Sequence, residues 1–390
     1  MTSFRTRRDR ARGAPPARTR RRLLGGAVAL AATAVTALAT VAPAGAATNA
    51  FIDRFPNTTT VGSTVPANGD VNPYGLVVVP ETTGRLVAGD GLVSNFNDSA
   101  NQQGTGTTIV ELDRHGTQQL FAQIDASKLP GPCPGGVGLT TALTVLPGGW
   151  VVVGSLPTTD GTAATAKAGC LLVLDRFGHV AETWSGGPIN GPWDMTSRVE
   201  GDNAQLFVTN VLNGTVAANG ATVNGGTVVR IDVDVDHGRM PRVESERVIA
   251  RGFAEHTDPA ALVVGPTGVA LGEGGTLFVA DTASNRIAAV ADATDRDTAA
   301  MNGGRTVSQG GALNAPLGMT LAPDGHILTV NGGDGNIVET TPHGRQVATK
   351  LLDSSGSPPG AGALFGVTRT PGERGVLYVD DATNTLNLLH

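Results

Sequence analysis

Six times along this chain a short turn motif opens an apolar strand, and each time a second strand follows after a tight turn. The clearest copy is GVALGEGGTLFVADTASNRIAAV, residues 268–290. Aligned on the position that opens the first strand, the copies fall at Gly75, Ala142, Asp194, Gly268, Gly318 and Gly366, at intervals of 67, 52, 74, 50 and 48 residues. The second strands are expected to end at Asp90, Ser155, Asn210, Asp281, Asn331 and Asp381, 13 to 16 residues further on. Intervening turns such as LPGG, GEGG and APDG suit hairpins. Third strands such as TTIVELD and CLLVLD come next, and a fourth, such as QQLFAQI or QVATKLL, completes the first five copies. Four antiparallel strands recurring at about 50 residues specify an all-β chain, a six-bladed β-propeller of four-stranded blades.

The composition agrees: 54 glycines and abundant Val and Thr, with aromatics at only 4%, favour short strands and tight turns. The sixth copy stops after its third strand, at His390. Residues 50–55 (AFIDRF) are expected to supply the missing strand, so that the N-terminal strand closes the last blade and two exposed sheet edges disappear.

The copy at 268–290 resembles an NHL repeat, in which an apolar strand, a Gly turn, an LYVAD-like strand and N-R-I follow one another. The match is specific for copy four and looser elsewhere, and as an architecture it covers residues 47–390. The resemblance implies a six-bladed propeller of the secreted bacterial type. It implies little about activity, because related propellers include lyases, lactonases and pure binding modules.

The first 46 residues read as a leader. Nine arginines and one aspartate stand before or at the start of an apolar run at 23–42, and Ala44, Gly45 and Ala46 form a small-x-small cleavage site. Residues 19–24 (TRRRLL) resemble a twin-arginine export motif. An exported chain, periplasmic or extracellular, is expected, touching a membrane only if the leader stays uncleaved. Subtracting the leader from 28 basic and 34 acidic residues leaves 19 against 33, a net charge of −14. Nucleic acid is an unsuitable partner for such a surface. A small ligand or an extracytoplasmic protein is expected instead, bound by a monomer.

In a propeller, the blade-to-blade connections and the loops between strands two and three share one face. The long segments 90–106, 155–169 and 210–226 fall there, with the connections at 125–138, 250–264 and 353–362. This face is therefore the expected binding surface. Cys133 and Cys170 both map to it in blade two, and export makes a disulfide between them plausible chemistry. His115, His179, His237, His326 and His343 fall at hairpin turns of the opposite face and read as solvated, leaving only His256 and His390 near the long loops.

The residue before each alignment position should line the mouth of the central channel: Tyr74, Thr141, Trp193, Thr267, Leu317 and Phe365. With Asp194, Asn190 and Asn72 these could form a pocket with apolar walls and a few polar contacts, or the aromatics could plug the channel. No G-x-S-x-G, H-E-x-x-H, G-x-x-x-x-G-K-[ST] or C-x-x-C motif is present. DVDVDHG (232–238) lacks the glycine and distal glutamate of a calcium loop, and its alternation reads as a half-exposed strand. The polar residues closing the second strands recur in every copy and are therefore structural. Asp194 differs, because it replaces the small residue of the other five copies. Its segment NGPWDM (190–195) resembles the channel segments that hold calcium in lactonase-like propellers, without a matching glutamate at the other mouth positions. The expectation is a binding module with no cofactor and no assigned metal ligand or catalytic residue. The alternative is a lyase- or lactonase-like enzyme using Asp194, and perhaps His256, with a divalent cation such as calcium.

Overall fold

A computed structural model describes residues 50–236 and 239–390. They form six antiparallel sheets, five of four strands and one of five. Blade one comprises Val71–Val78, Gly91–Asn97, Thr108–Leu112 and Gln118–Gln123, and blade two Leu139–Leu146, Trp150–Ser155, Cys170–Leu174 and Val180–Trp184. Blade three has Pro192–Glu200, Asn203–Asn210, Val223–Asp234 and Arg242–Asp258, and gains a fifth strand, Leu262–Val264, where a connecting loop was expected. Blade four comprises Pro266–Leu271, Leu277–Asp281, Arg286–Val290 and Arg305–Gln309. Blade five comprises Pro316–Leu321, Ile327–Asn331, Asn336–Thr340 and Gln346–Leu351. Blade six joins Leu364–Arg369, Val376–Asp380 and Thr385–Leu389 to the N-terminal strand Thr58–Ser63. The leader expected at 1–46 lies outside the described residues. Among the described residues no helix is long and apolar enough to cross a membrane.

The first strand of each blade is innermost. Its glycines reflect how closely the six inner strands converge: a Cβ at Gly268 or Gly318 would run into the carbonyl oxygen of Leu317 or Phe365 on the next inner strand. One blade cannot bury both of its faces, so apolar clusters fill the wedges between neighbours. Leu92, Ile109 and Phe121 of blade one meet Leu143, Val153 and Leu172 of blade two. Ala280 and Ile287 of blade four meet Met319 and Ile327 of blade five.

The N-terminal closure exists, but residues 58–63 supply it instead of 50–55. The outer strand of a blade is largely exposed, as the Thr-rich 58–63 strand is. The apolar 50–55 segment does something else. Phe51, Ile52 and Phe55 bury against blades five and six beside Leu328, Val330 and Leu364. The Ile52 amide donates to Glu339 Oε2 at 2.9 Å, and the Lys350 ammonium donates to the carbonyls of Ile52 and Phe55.

Blade one also corrects the expected register. Its second strand is Gly91–Asn97, inside the segment expected to be a long loop, and the extended hairpin is 79–90 on the opposite face. Pairing of Pro73 with Asn95 matches that of Pro266 with Asp281 and of Leu364 with Asp380. The strand-closing set is therefore Asn95, Ser155, Asn210, Asp281, Asn331 and Asp380, all buried, with Asp90 and Asp381 outside it. Each closes local structure. Asp281 Oδ2 holds Arg286 Nε at 2.7 Å, Asn331 Nδ2 donates to Ala312 O at 2.8 Å, and Ser155 Oγ accepts from Gly138 N at 3.0 Å.

Cys133 and Cys170 are joined, with Cα atoms 5.3 Å apart and a sequence separation of 37. The bond ties the connection entering blade two to the start of that blade's third strand. Closing a loop of this size restrains the unfolded chain by about 4 kcal/mol. Replacing both cysteines by serine is expected to lower the melting temperature measurably, while intact mass with and without reductant reports the bond itself. An unchanged melting point would sink this assignment of its role.

Candidate functional site

The aromatic residues of the inner strands plug the channel. The Tyr74 ring stacks on Phe365 at 3.9 Å and on Phe96 at 4.4 Å between centroids, with Trp193 6.0 Å away. Tyr74, Trp193, Leu317 and Phe365 are all at most 4% exposed. Trp193 Nε1 donates to Val263 O at 3.0 Å, which ties the plug to the extra strand of blade three. Burial, with Asp381 nearby, pushes the Tyr74 phenol well above its usual range, so it stays neutral.

The long loops roof the plug. Leu156, Val211, Leu262 and Val263 pack onto the aromatic cluster, with Ala163, Ala166 and Leu212 against it. Thr158 N donates to Gly104 O at 2.9 Å, joining the loops of blades one and two, and Gln103 Nε2 reaches Pro259 O at 2.7 Å. Glu255 is fully buried beneath this roof, and its Oε1 accepts the Asn213 amide at 2.9 Å. Burial pushes its carboxyl up to about 7.

The expected site residues therefore do not share one pocket. Asn190 stays among the blade-three loops, its amide nitrogen hydrogen-bonded to the Asn213 side chain. Asn72 lies in the left-handed region, with φ 62°, and its backbone N–H donates to Asn384 Oδ1 at 2.7 Å. Tyr74, Trp193 and Phe365 form the plug. Asp194 alone points to the other side of it.

That other side is a well of about 170 Å³ along the channel axis, walled by all six inner strands. Its lining residues follow the plug residues along each strand, so the well opens on the face of the first hairpins. In four copies the residue two places after the alignment position lines the well, as Thr144, Thr196, Thr320 and Thr368. These hydroxyls were missed at first. Their signal was a Thr recurring two places after the alignment residue in four of six copies.

Asp194 is the one carboxyl among the described residues that line the well. It is 8% exposed, with Oδ1 accepting Met195 N at 2.8 Å and Oδ2 accepting Val269 N at 3.2 Å. Its own N–H donates to Thr209 Oγ1 at 3.0 Å. No cation is paired with it among the described residues. Burial pushes the carboxyl up to about 8, partly offset by the two amides. Thr141 Oγ1, beside it in the lining, is buried and has no hydrogen-bond partner.

Two histidine expectations need revision. His326 is not a free turn residue. Its Nδ1 lies 2.7 Å from Glu339 Oε1 and 3.4 Å from Asp324 Oδ2, and Glu339 in turn holds Ile52. These three side chains could hold a metal ion, but their hydrogen bonds already satisfy one another as an anchor for the N-terminal segment. His256 Nδ1 contacts Thr257 O at 3.0 Å in the roof, on the far side of the plug from Asp194. The two cannot act together. His115, His179 and His343 are exposed, and His237 lies outside the described residues.

Calcium takes six to eight oxygen ligands. The well offers one carboxyl, both of whose oxygens already accept backbone N–H groups, so this donor set does not fit calcium.

No protein-family profile matches the chain, and no curated protein sequence does. Among solved structures it is similar to a gluconolactonase from Xanthomonas campestris, with TM-score 0.53 and 14% identity over 85% of this chain and 88% of that one. It is similar to the calcium-binding protein regucalcin from Agrobacterium tumefaciens, with TM-score 0.51 and 13% identity over 85% and 93%. A luciferin-regenerating enzyme gives TM-score 0.51 and 9% identity over 85% and 95%. At such identities the likeness shows architecture alone: the chain is a six-bladed β-propeller, the fold that its repeats specify.

Proposed function

We propose that this propeller is an exported binding protein that holds a small cationic ligand in its central well, against Asp194. The observation that supports this most is the buried carboxyl without a counter-ion on the channel axis, at the single copy that departs from the repeat. A buried carboxylate lacking a cation is costly, and a ligand ammonium removes that cost. The threonine hydroxyls that line the well would accept the remaining ammonium protons. A volume of 170 Å³ suits a molecule about the size of benzene. The leader and the disulfide support export. The long-loop face remains available to an extracytoplasmic protein, but its roofed plug gives a small ligand no entry.

A second reading is favoured by one observation. A carboxyl titrating at about 8 is suited to donate and accept protons near neutral pH. Under this reading the chain is a lyase- or lactonase-like enzyme, with Asp194 as its acid–base group. It is the less supported of the two, because among the described residues Asp194 is the one titratable group lining the well.

Isothermal titration at pH 8.5 with ethanolamine and with its neutral isostere ethylene glycol tests the binding reading. Ethanolamine is expected to bind and ethylene glycol not to, and Asp194→Asn is expected to abolish the difference. Equal heats from both compounds, or binding retained in the Asn variant, would overturn it.

A further inference from the structure

A second cavity, about 700 Å³, lies at the seam where blade six meets blade one. Its floor is apolar: Val61 of the closing strand, Leu112 of blade one, and Leu377, Leu386 and Leu388 of blade six. It exists because blade one departs from the repeat. The first hairpin there runs through residues 79–90, where the other blades make short turns.

The tip of that hairpin is pulled toward blade two and away from blade six. The Arg85 amide donates to Arg176 O at 2.9 Å, and its guanidinium reaches Phe121 O at 3.2 Å. The returning limb is pinned by Val87 N donating to Glu111 Oε1 at 2.7 Å. Residues 87–91 thus make one bank of the cavity, and Thr370, Pro371 and Arg374 make the other. Val87 is 46% exposed at the mouth.

The charges at the mouth are unequal. Asp113 is committed to its own turn, with Oδ1 accepting His115 N at 2.7 Å and Thr117 N at 2.9 Å. Burial, and then the neighbouring Asp113, raise the Asp90 carboxyl above its usual range, with Arg114 opposing them. The Arg374 guanidinium has no ion pair or hydrogen bond among the described residues, and it overhangs a floor of aliphatic side chains. A pocket of several hundred Å³ with apolar walls and few polar groups is the usual form of a small-molecule site.

From this charge complementarity we infer that the seam cavity binds an aliphatic monocarboxylate, its chain on the leucine floor and its head group on Arg374. Decanoate is the probe, with decanol as the uncharged control, each titrated calorimetrically into the mature chain below its micelle concentration. Decanoate is expected to bind saturably and more tightly than decanol. Arg374→Ala is expected to weaken decanoate at least tenfold and leave decanol unchanged. Val87→Glu, at an exposed position that folding tolerates, is expected to weaken both. Absence of saturable decanoate binding overturns the inference, as does affinity unchanged in both variants or equal affinity for decanol. The ethanolamine response of the well should persist in both variants, which separates this outcome from that of the Asp194 reading.

Discussion

Deleting residues 50–63 is expected to lower the melting of the entire ring, in one cooperative transition, or to prevent folding. Two contributions are lost together. The strand Thr58–Ser63 pairs with Thr385–Leu389, so its removal exposes a sheet edge and opens blade six. The anchor Phe51, Ile52 and Phe55 leaves the wedge between blades five and six, and each such side chain contributes about 2 kcal/mol when fully buried. The anchor alone is then worth about 6 kcal/mol, a large share of the usual 5–15 kcal/mol stability of a domain. The smaller deletion, 50–55, should cost most of the anchor term and keep the ring closed. Thermal denaturation followed by circular dichroism distinguishes the two. A 50–63 deletion that melts like the parent chain would show that closure contributes nothing.

The apolar segment 50–55, just before the first blade, reads as the missing strand, but the outer position of a blade has little to bury an apolar face against. TTTVGS, polar and β-branched, fits that position better, and the more apolar segment goes where a wedge is available. Blade one was misread for a related reason. Asp90 ends an apolar run, yet its hairpin is an insertion, so strand two starts where it was expected to stop. Repeat spacing could not separate an insertion before a strand from one after it. Legibility was best where six-fold repetition averaged out such local ambiguity: blade number, inner-strand glycines and the closing polar set all survived, with two members of that set moved.

The candidate site was half legible. Asp194 stands out as the exception to its column, and Tyr74, Trp193 and Phe365 pack on one another. What the sequence could not tell is which side of the plug a side chain faces. Asp194 follows Trp193 directly, where pairing with the second strand slips between Pro192–Asn210 and Met195–Val208, so regular alternation does not assign their directions. The plug residues pack together beneath the roof, whereas Asp194 joins the threonines of the well. Asn190 belongs to the loop before blade three, and Asn72, near the start of the inner strand of blade one, is tied to Asn384, so proximity in sequence brought together groups that the fold keeps apart.

Asp194 also makes the stability of this protein depend on pH in a direction that can be worked out. Its carboxyl titrates at about 8 in the folded chain, against about 4 for an unfolded aspartate. Below pH 4 both states are protonated and the group costs nothing. As pH rises from 4 to 8 the unfolded chain ionises while the folded one holds its proton, so stability falls by about 1.4 kcal/mol per unit. Above 8 the loss levels off, at about 5 kcal/mol in total. Asp194→Asn removes this slope. It also sets an amide donor against one of the two backbone N–H groups, a pH-independent cost of about 1–3 kcal/mol. The stability curves of parent and variant should therefore cross, the variant being the less stable near pH 4 and the more stable above pH 8. Denaturant midpoints measured from pH 4 to 9 read out that difference, from which the other titrating groups largely cancel. Parallel curves would mean that Asp194 ionises as freely in the fold as out of it, and would remove the physical reason for placing a cation beside it. A crossing that ethanolamine shifts to higher pH would tie the carboxyl and its ligand to the same well.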